Sequence, residues 1–354
     1  MLIIRPARKI EKVKIQKFMN LNFKKNHIIS KNSKFFNWQY RNSDGKINCT
    51  LALKNKEIVG VYFYVPLSHF DKKLDKNHIF FSTWTVKGFK KNISINENKE
   101  GIAIALKIIN KIYQNFKSHL IINVGIDTRL KKFHEYKKIK SYISNHHFII
   151  SSYTKKLNLL QKCSHLIKKF NKKKHETEVN FKKIKNLNDL KKLETKNLFS
   201  YQIPLKSNDY LINRYLKHPI YKYHIYVISR KKTIALCVFR VAKAKNTNVI
   251  RIIDYVGSNK SFRYLKPFFY EILKLYKAEY LDFYSFGIPL SDLKKSGLID
   301  KNNYKDLIIP DYFEPFLYKN IVIPVGYLNY VTKDNVRIFK GDGDQDRPSI
   351  NTQR

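Results

Sequence analysis

Acidic residues are scarce in this chain. Over 354 residues, 27 Asp and Glu stand against 70 Lys and Arg, a formal net charge of +43. So basic a balance suits nucleic acid, anionic lipid or an anionic substrate. A nucleic-acid site, though, gathers arginine and aromatic residues on one element, and no stretch does so. Most of the cations are lysines scattered along the chain, and the densest run, 168–174, falls in a polar segment. The charge therefore reads first as drift in a sequence rich in Lys, Asn and Ile. No specific nucleic-acid partner is expected.

Cysteine is scarcer still. Cys49, Cys163 and Cys237 are far apart and odd in number, which excludes a disulfide framework and fits a reducing compartment. No Cys or His spacing of metal-binding type is present. His146 and His147 are adjacent, so on a strand they point to opposite faces. No metal is expected. No apolar run approaches the length of a membrane span. The start, Met1-Leu2-Ile3-Ile4-Arg5-Pro6, is too short and too soon charged for a signal peptide. These absences give the expectation of a soluble, cytoplasmic protein, with contact to the inner face of a membrane left open. What is abundant is apolar and aromatic residue, 43% and 14%, enough for cores in two domains of ordinary size.

The chain also repeats itself. Residues 35–65 and 210–240 align without a gap at an offset of 175. Tyr40 falls on Tyr215. Cys49-Thr50-Leu51-Ala52-Leu53 falls on His224-Ile225-Tyr226-Val227-Ile228, then a polar tip follows in each, then a second apolar run. Two copies at this period indicate a duplicated domain rather than a solenoid.

The order of elements extends the repeat. The first half reads as a strand over 2–5, helices over 10–18 and 34–40, and a hairpin over 47–53 and 58–66. A strand over 79–86, a helix over 101–116, a strand over 120–124 and β structure over 142–152 follow. After a basic linker over 155–178 the cycle recurs. It runs through a strand over 179–184, helices over 187–195 and 209–216, and a hairpin over 223–228 and 233–241. A strand over 249–256, a helix over 262–276 and a strand over 280–286 complete it. The expected domains are therefore 1–154 and 179–354.

This order resembles the layout of the GNAT acyltransferase superfamily. Leu2-Ile3-Ile4-Arg5-Pro6-Ala7 looks like its opening strand, Ala52 to Val61 like its hairpin, and Glu100-Gly101-Ile102-Ala103 like the end of its acyl-CoA loop. More narrowly, the chain resembles bacterial tandem-GNAT proteins associated with surface-polysaccharide synthesis. That likeness rests on Trp38-Gln39-Tyr40, Asn145-His146 and His218-Pro219-Ile220-Tyr221-Lys222-Tyr223. It rests also on Tyr312-Phe313-Glu314-Pro315-Phe316 and on the tail Asp342-Gly343-Asp344-Gln345-Asp346-Arg347-Pro348. The implied fold is α/β (α+β): two tandem GNAT-like domains, each a mixed, mostly antiparallel sheet flanked by helices.

The resemblance implies acetyl-CoA or another acyl-CoA as co-substrate. Asn98-Lys99-Glu100-Gly101-Ile102-Ala103 fits the phosphate loop, with Asn98 where Arg or Gln is usual and Lys99 placed to compensate. Free N–H groups at a helix start hold phosphate, and a glycine lets it come close; a plain turn at a helix start carries the same glycine. By resemblance, Thr85, Val86 and Lys87 would pair through backbone groups with pantetheine, and one N–H would polarise the thioester carbonyl. Tyr136 is the nearest match to the family's acid, unless it is an ordinary half-buried tyrosine. His134, Glu135 and His146 are candidate bases, His146 being attractive because histidine titrates near neutrality.

In the second copy the matching helix starts Gly257-Ser258-Asn259-Lys260-Ser261-Phe262-Arg263-Tyr264-Leu265-Lys266-Pro267. No Gly-x-Gly/Ala stands at the turn, and Pro267 lacks the N–H that phosphate would use. This copy is not expected to bind acyl-CoA in the usual way. Asp254, Tyr255, Asp282 and Tyr284 are instead candidates for receiving a sugar acceptor, or are strand ends satisfied locally. Asp342 to Arg347 is the one acidic cluster; period-two aspartates on an extended segment project to one side. That makes Asp344 and Arg347 acceptor-binding candidates, against a solvated tail pairing with lysines.

Three readings follow. The first is an acyl-CoA-dependent transferase acting on an amino or hydroxyl group of a sugar or nucleotide-sugar. The second is a FemAB-like aminoacyl transferase using aminoacyl-tRNA. The third is a non-catalytic scaffold in glycan assembly.

Overall fold

The computed structural model describes residues 1–89, 97–116, 119–126, 135–154, 157–160, 179–193, 195–311, 316–330 and 335–349. His134, the run 168–174 and Tyr312 to Pro315 lie outside the described residues, as does most of the expected linker. Among the described residues, no helix is long and apolar enough to cross a membrane.

Along the chain come β1 (Leu2–Pro6), α1 (Lys12–Asn22), α2 (Ile28–Lys31), α3 (Ser33–Tyr40), β2 (Cys49–Lys54), β3 (Glu57–Pro66), β4 (His78–Val86), α4 (Lys99–Phe116), β5 (Leu120–Val124) and β6 (Lys140–Ile143). Then follow β7 (Asn145–Ile150), β8 (Asn180–Ile184), β9 (Tyr223–Ser229), β10 (Thr233–Ala244), β11 (Thr247–Gly257) and β12 (Ala278–Phe286). Last come β13 (Ile299–Asp300), β14 (Pro324–Asn329) and β15 (Ile338–Phe339). Helices Leu187–Lys191 and Asn208–Leu211 lie between β8 and β9, and helix Lys266–Leu275 between β11 and β12.

Two mostly antiparallel sheets result, in the orders β1-β2-β3-β4-β5-β14-β6 and β13-β7-β12-β11-β10-β9-β8. The runs β1 to β5 and β8 to β12 follow one plan. Local chemistry sets the elements. Asn32 caps α3 by accepting from Phe35 N–H at 2.8 Å. Asn55 and Lys56, both at positive φ (52° and 65°), make the two-residue turn between β2 and β3. One face of α4 buries Ile104, Ala105, Ile108, Ile109 and Ile112 on the first sheet. In the second, helix Lys266–Leu275 buries Phe268, Phe269, Ile272 and Leu273.

The chain divides into one unit of Met1–Ser141, Gly326–Lys333 and Gly343–Arg354, and another of Tyr142–Val325 and Asp334–Asp342. This differs from the expected boundary after residue 154. The reason is β7, which pairs antiparallel with β12 from Tyr280↔Ile150 to Ser285↔Asn145 and so belongs to the second sheet. The C-terminal segment is also shared out between the units. The helix expected over 262–276 is a 3-10 turn, Asn259–Tyr264, followed by the α-helix, with Pro267 in its first turn. A proline is tolerated there because that N–H has no helical partner.

Each sheet is interrupted at the same point of the repeat. In the first, Tyr62 pairs with Trp84 and Tyr64 with Phe81, so Ser82 and Thr83 oppose the single residue Phe63. In the second, Val238 pairs with Asp254 and Phe239 with Ile252, leaving Ile253 extra. These are β-bulges, and Phe63 and Val238 are 175 residues apart. The aligned tyrosines reach them. Tyr40 Oη is 2.7 Å from Ser82 Oγ, and Tyr215 Oη donates to Asp254 Oδ2 at 2.6 Å.

The parallel pairings end near the bulges too. β4 pairs with β5 from His78↔Leu120 to Phe81↔Asn123, and β11 with β12 from Asn248↔Ala278 to Ile252↔Phe283. The C-terminal segment meets the strands beyond. In the first unit Gln345 Nε2 donates to Val124 O at 3.0 Å. Gly125, at φ 82°, leaves room for that side chain, which a Cβ would overlap. In the second unit β15 pairs with the end of β12, and Gly341 N–H donates to Ile253 O at 3.0 Å.

A buried triad sits at the second bulge. Lys206 Nζ lies 2.6 Å from Asp254 and 2.8 Å from Asp342, and all three side chains are 0% exposed. Burial and repulsion by Asp254 outweigh the pull of Lys206, so the Asp342 carboxyl is pushed up to about 6. An acid whose pKa is raised by folding stabilises the fold below its unfolded value, and that contribution is lost as pH rises through the folded value. Asp342→Asn is therefore expected to gain on the parent protein between pH ~4 and ~7, by on the order of 1–3 kcal/mol. Denaturant unfolding at both pH values checks this; a difference independent of pH would refute it.

Candidate functional site

In the first unit, the tip of the β2–β3 hairpin, the residues just after β4 and the start of α4 border a cleft of about 590 Å³. Lys54, Asn55, Glu57, Val59, Lys87, Gly88, Phe89, Glu97, Asn98, Glu100, Gly101 and Ile104 line it. Its walls follow from the strand register. β4 runs on to Val86 after its pairing with β5 has ended at Phe81. Lys87 N–H donates to Val59 O at 2.8 Å. Antiparallel pairs alternate, so Thr85 also faces β3, opposite Val61, while Val86 and Trp84 turn their N–H groups to the other side. This corrects the expected role of Lys87 as a backbone donor, because its N–H is already used within the sheet.

At the other wall α4 begins with Lys99. Ile102 N–H donates to Asn98 O at 2.9 Å. The N–H groups of Lys99, Glu100 and Gly101 precede the first helical bond and carry the positive end of the helix dipole. Asn98 is buried, whereas Lys99 and Ala103 are exposed. Two lysines and three glutamates line the cleft. The pairs Lys54–Glu100 (3.5 Å) and Lys87–Glu57 (3.7 Å) are well exposed and contribute little. The anion donors here are therefore mainly the backbone amides at the start of α4.

The bulge in β4 makes a second polar cluster in the same unit. It turns two consecutive hydroxyls to one acceptor: Ser82 Oγ and Thr83 Oγ1 donate to Asp344 Oδ2 at 2.7 and 2.8 Å. Arg347 Nε donates to the same oxygen at 3.1 Å, and its Nη2 donates to Thr83 at 2.8 Å. Its Nη1 lies against His27 Nε2. Burial would raise the Asp344 carboxyl, but the charge of Arg347 and the two hydroxyls outweigh it and hold it below the usual range.

The tail is thus not an extended strand with aspartates on one side. It is a run of turns, and Asp342, Asp344 and Asp346 are 0%, 8% and 9% exposed. Asp342 faces Lys206 in the second unit and Asp344 faces Ser82 and Thr83 in the first. Nor is it solvated. The hydroxyl pair was not picked out from the sequence, because on a regular strand neighbouring residues point to opposite faces.

Of the other expected residues, Tyr136 is 78% exposed in the first unit and is not among those lining the cleft. His146 belongs to the second unit. The β7–β12 register sets it against Tyr284, and the rings stack at 3.9 Å. Its Nε2 is 3.5 Å from Asp282. Burial lowers its pKa against the pull of that carboxylate. Asp282 is held by Arg251 Nε and Nη2 at 3.2 and 3.3 Å; burial would raise its pKa, but Arg251 outweighs it and holds the group well below the carboxylate range. Tyr284 donates to Ile321 O at 3.0 Å. Three expected residues therefore meet, but within a buried ion-pair network.

Asp254 and Tyr255 are corrected likewise. Both Asp254 oxygens are engaged by Lys206 and Tyr215. Tyr255 is 1% exposed, with its hydroxyl against Ser261 and Ser258. Both side chains are buried within the second unit.

Two outcomes follow. Asp344→Ala removes the buried acceptor shared by Ser82, Thr83 and Arg347 and is expected to destabilise by on the order of 3 kcal/mol; a loss below about 1 kcal/mol in urea unfolding would show the cluster to be dispensable. At Gly101 a Cβ would stand no closer than 3.4 Å to its neighbours. Gly101→Ala is therefore expected to stabilise by roughly 0.5–1 kcal/mol through helix propensity. A lowered Tm would contradict that.

No protein-family model matches the sequence, and no curated protein matches it. Solved structures resemble it in fold. A GCN5-related N-acetyltransferase from Anabaena variabilis superposes with a TM-score of 0.54 and 11% identity, over 92% of this chain and 72% of that one. A conserved protein of unknown function from Enterococcus faecalis, described as a probable N-acyltransferase, also gives a TM-score of 0.54, with 10% identity over the same shares. At such identities the likeness is one of fold alone: the chain has a GNAT-like fold.

Proposed function

We propose that this chain is an acyl-CoA-dependent acyltransferase of the N-acetyltransferase type, with the donor held in the cleft of the first unit. One observation carries the reading: the start of α4, with Gly101 in its first turn, lines one cleft with Lys87, Gly88 and Phe89, which follow the stretch of β4 that runs on past its last parallel pair at Phe81. Pyrophosphate would be held by the amides of Lys99, Glu100 and Gly101, and pantetheine would run along β4. The N–H of Val86 or Trp84 would polarise the thioester carbonyl as charge develops on its oxygen. Tyr136 is the candidate acid for the leaving thiolate.

The acceptor in this reading is an amino or hydroxyl group of a sugar or nucleotide-sugar in surface-glycan synthesis. That choice rests on the resemblance carried by the tail and by His218 to Tyr223. Asp344 and Arg347 are the acceptor-side candidates in the first unit. The second unit takes no acyl-CoA. Pro267 stands in its helix start, and β15 lies at the end of β12. Use of acyl-CoA would make the protein cytoplasmic.

Isothermal titration with acetyl-CoA tests the donor site. Saturable binding is expected, retained in Gly101→Ala and at least about tenfold weaker in Gly101→Trp, whose indole would fill the cleft. No binding, or binding unchanged by the tryptophan, would sink the reading. A strongly salt-dependent affinity for tRNA would favour an aminoacyl donor instead.

A further inference from the structure

At the opposite end of β4 three ligand-type side chains meet. Asp75 and His78 lie on the approach to β4 and its first residue, and His119 immediately precedes β5. Asp75 Oδ2 is 3.6 Å from His78 Nε2 and 3.3 Å from His119 Nδ1. One ligand atom from each of the three lies within 4.8 Å of the other two. We propose that Asp75, His78 and His119 form a binding site for a divalent transition cation, with zinc the best fit.

The geometry suits that ion. Zinc takes imidazole nitrogen and carboxylate oxygen at about 2.0–2.2 Å, which puts tetrahedral ligand atoms about 3.3–3.6 Å apart. Two of the three edges already have that length. Two imidazoles and one carboxylate are a donor set for zinc rather than for calcium or magnesium, which take oxygen. The third edge closes by a small turn of the His119 ring, whose side chain is 51% exposed. Three protein ligands leave a fourth position for water.

The backbone places the donors before any ion arrives. The parallel register sets His78 opposite Leu120, so the two strand starts lie side by side. Tyr330 N–H donates to His119 O at 2.9 Å. Asp75 Oδ1 accepts from Asn77 N–H at 2.7 Å, which leaves Oδ2 for the rings. His78 N–H donates to Asp75 O at 3.3 Å. The spacing in sequence conceals the site, because His119 joins Asp75 and His78 only through strand pairing.

His78 is eight residues from Val86, on the order of 26 Å along a strand. The cation is therefore too far from the acyl end of the cleft to take part in transfer. It clamps the parallel pair at its closed end, and it does not depend on the donor reading.

The test is calorimetric titration of the untagged, metal-free full chain with zinc alone, beside cobalt titration followed by its visible bands. One equivalent per chain, the bands of a tetrahedral cobalt ion and a zinc-dependent rise in Tm are expected. His119→Ala and Asp75→Asn should each weaken binding at least about tenfold without moving the Tm of the metal-free protein by more than a few degrees. No binding at one equivalent, or binding unchanged in both variants, would overturn the site. Acetyl-CoA titration of the same variants should be unaffected.

Discussion

A parallel strand pair that separates must find new partners for the backbone groups it exposes. That constraint organises this chain twice. β4 leaves β5 after Phe81, and β11 leaves β12 after Ile252. In each sheet a bulge lies at or near the point of parting, and a tyrosine from the preceding helix anchors it. The C-terminal residues supply partners, with β15 and Gly341 in the second unit and Gln345 in the first. The repeat is therefore more than a duplicated helix and hairpin. Both units also share a bulge, opposite Phe63 in one sheet and next to the Val238–Asp254 pair in the other.

The scarce acids gain meaning in this light. In a chain of net charge +43, several carboxylates are spent inside. Asp254 and Asp342 share Lys206, Asp282 holds Arg251, and Asp344 collects two hydroxyls and Arg347. Glu279 accepts three backbone N–H groups, from Asn158, Leu159 and Leu160, each at 2.9 Å. Removing one partner from such a group costs more than a surface pair is worth, because the charge left behind is buried. These acids act as internal fasteners.

The two copies differ where ligand chemistry would require it. The first keeps Gly101 at a helix start that faces an open cleft. The second has a 3-10 turn and Pro267 there, and its bulge holds a closed Lys206–Asp254–Asp342 triad. The bulge of the first unit instead turns Ser82 and Thr83 to Asp344.

Most elements were legible from periodicity alone. The hairpins, α4 and the strands flanking it stand close to where alternating or helical spacing puts them, because those patterns report a local repeat of 2.0 or 3.6 residues. Gly101 was legible for the same reason, as a glycine opening an amphipathic helix. The fates of His146, Asp254, Asp282 and Asp344 were not. Each is decided by a residue far along the chain, such as Tyr284, Lys206, Arg251 or Ser82, and by which face a bulge or register turns toward it. The sequence by itself determined the hairpins, the amphipathic helices and the likeness of 35–65 to 210–240, since these follow from spacing within short windows. Only the tertiary structure decided which polar residues are fasteners and which face a cleft, since burial and pairing depend on contacts that spacing does not encode.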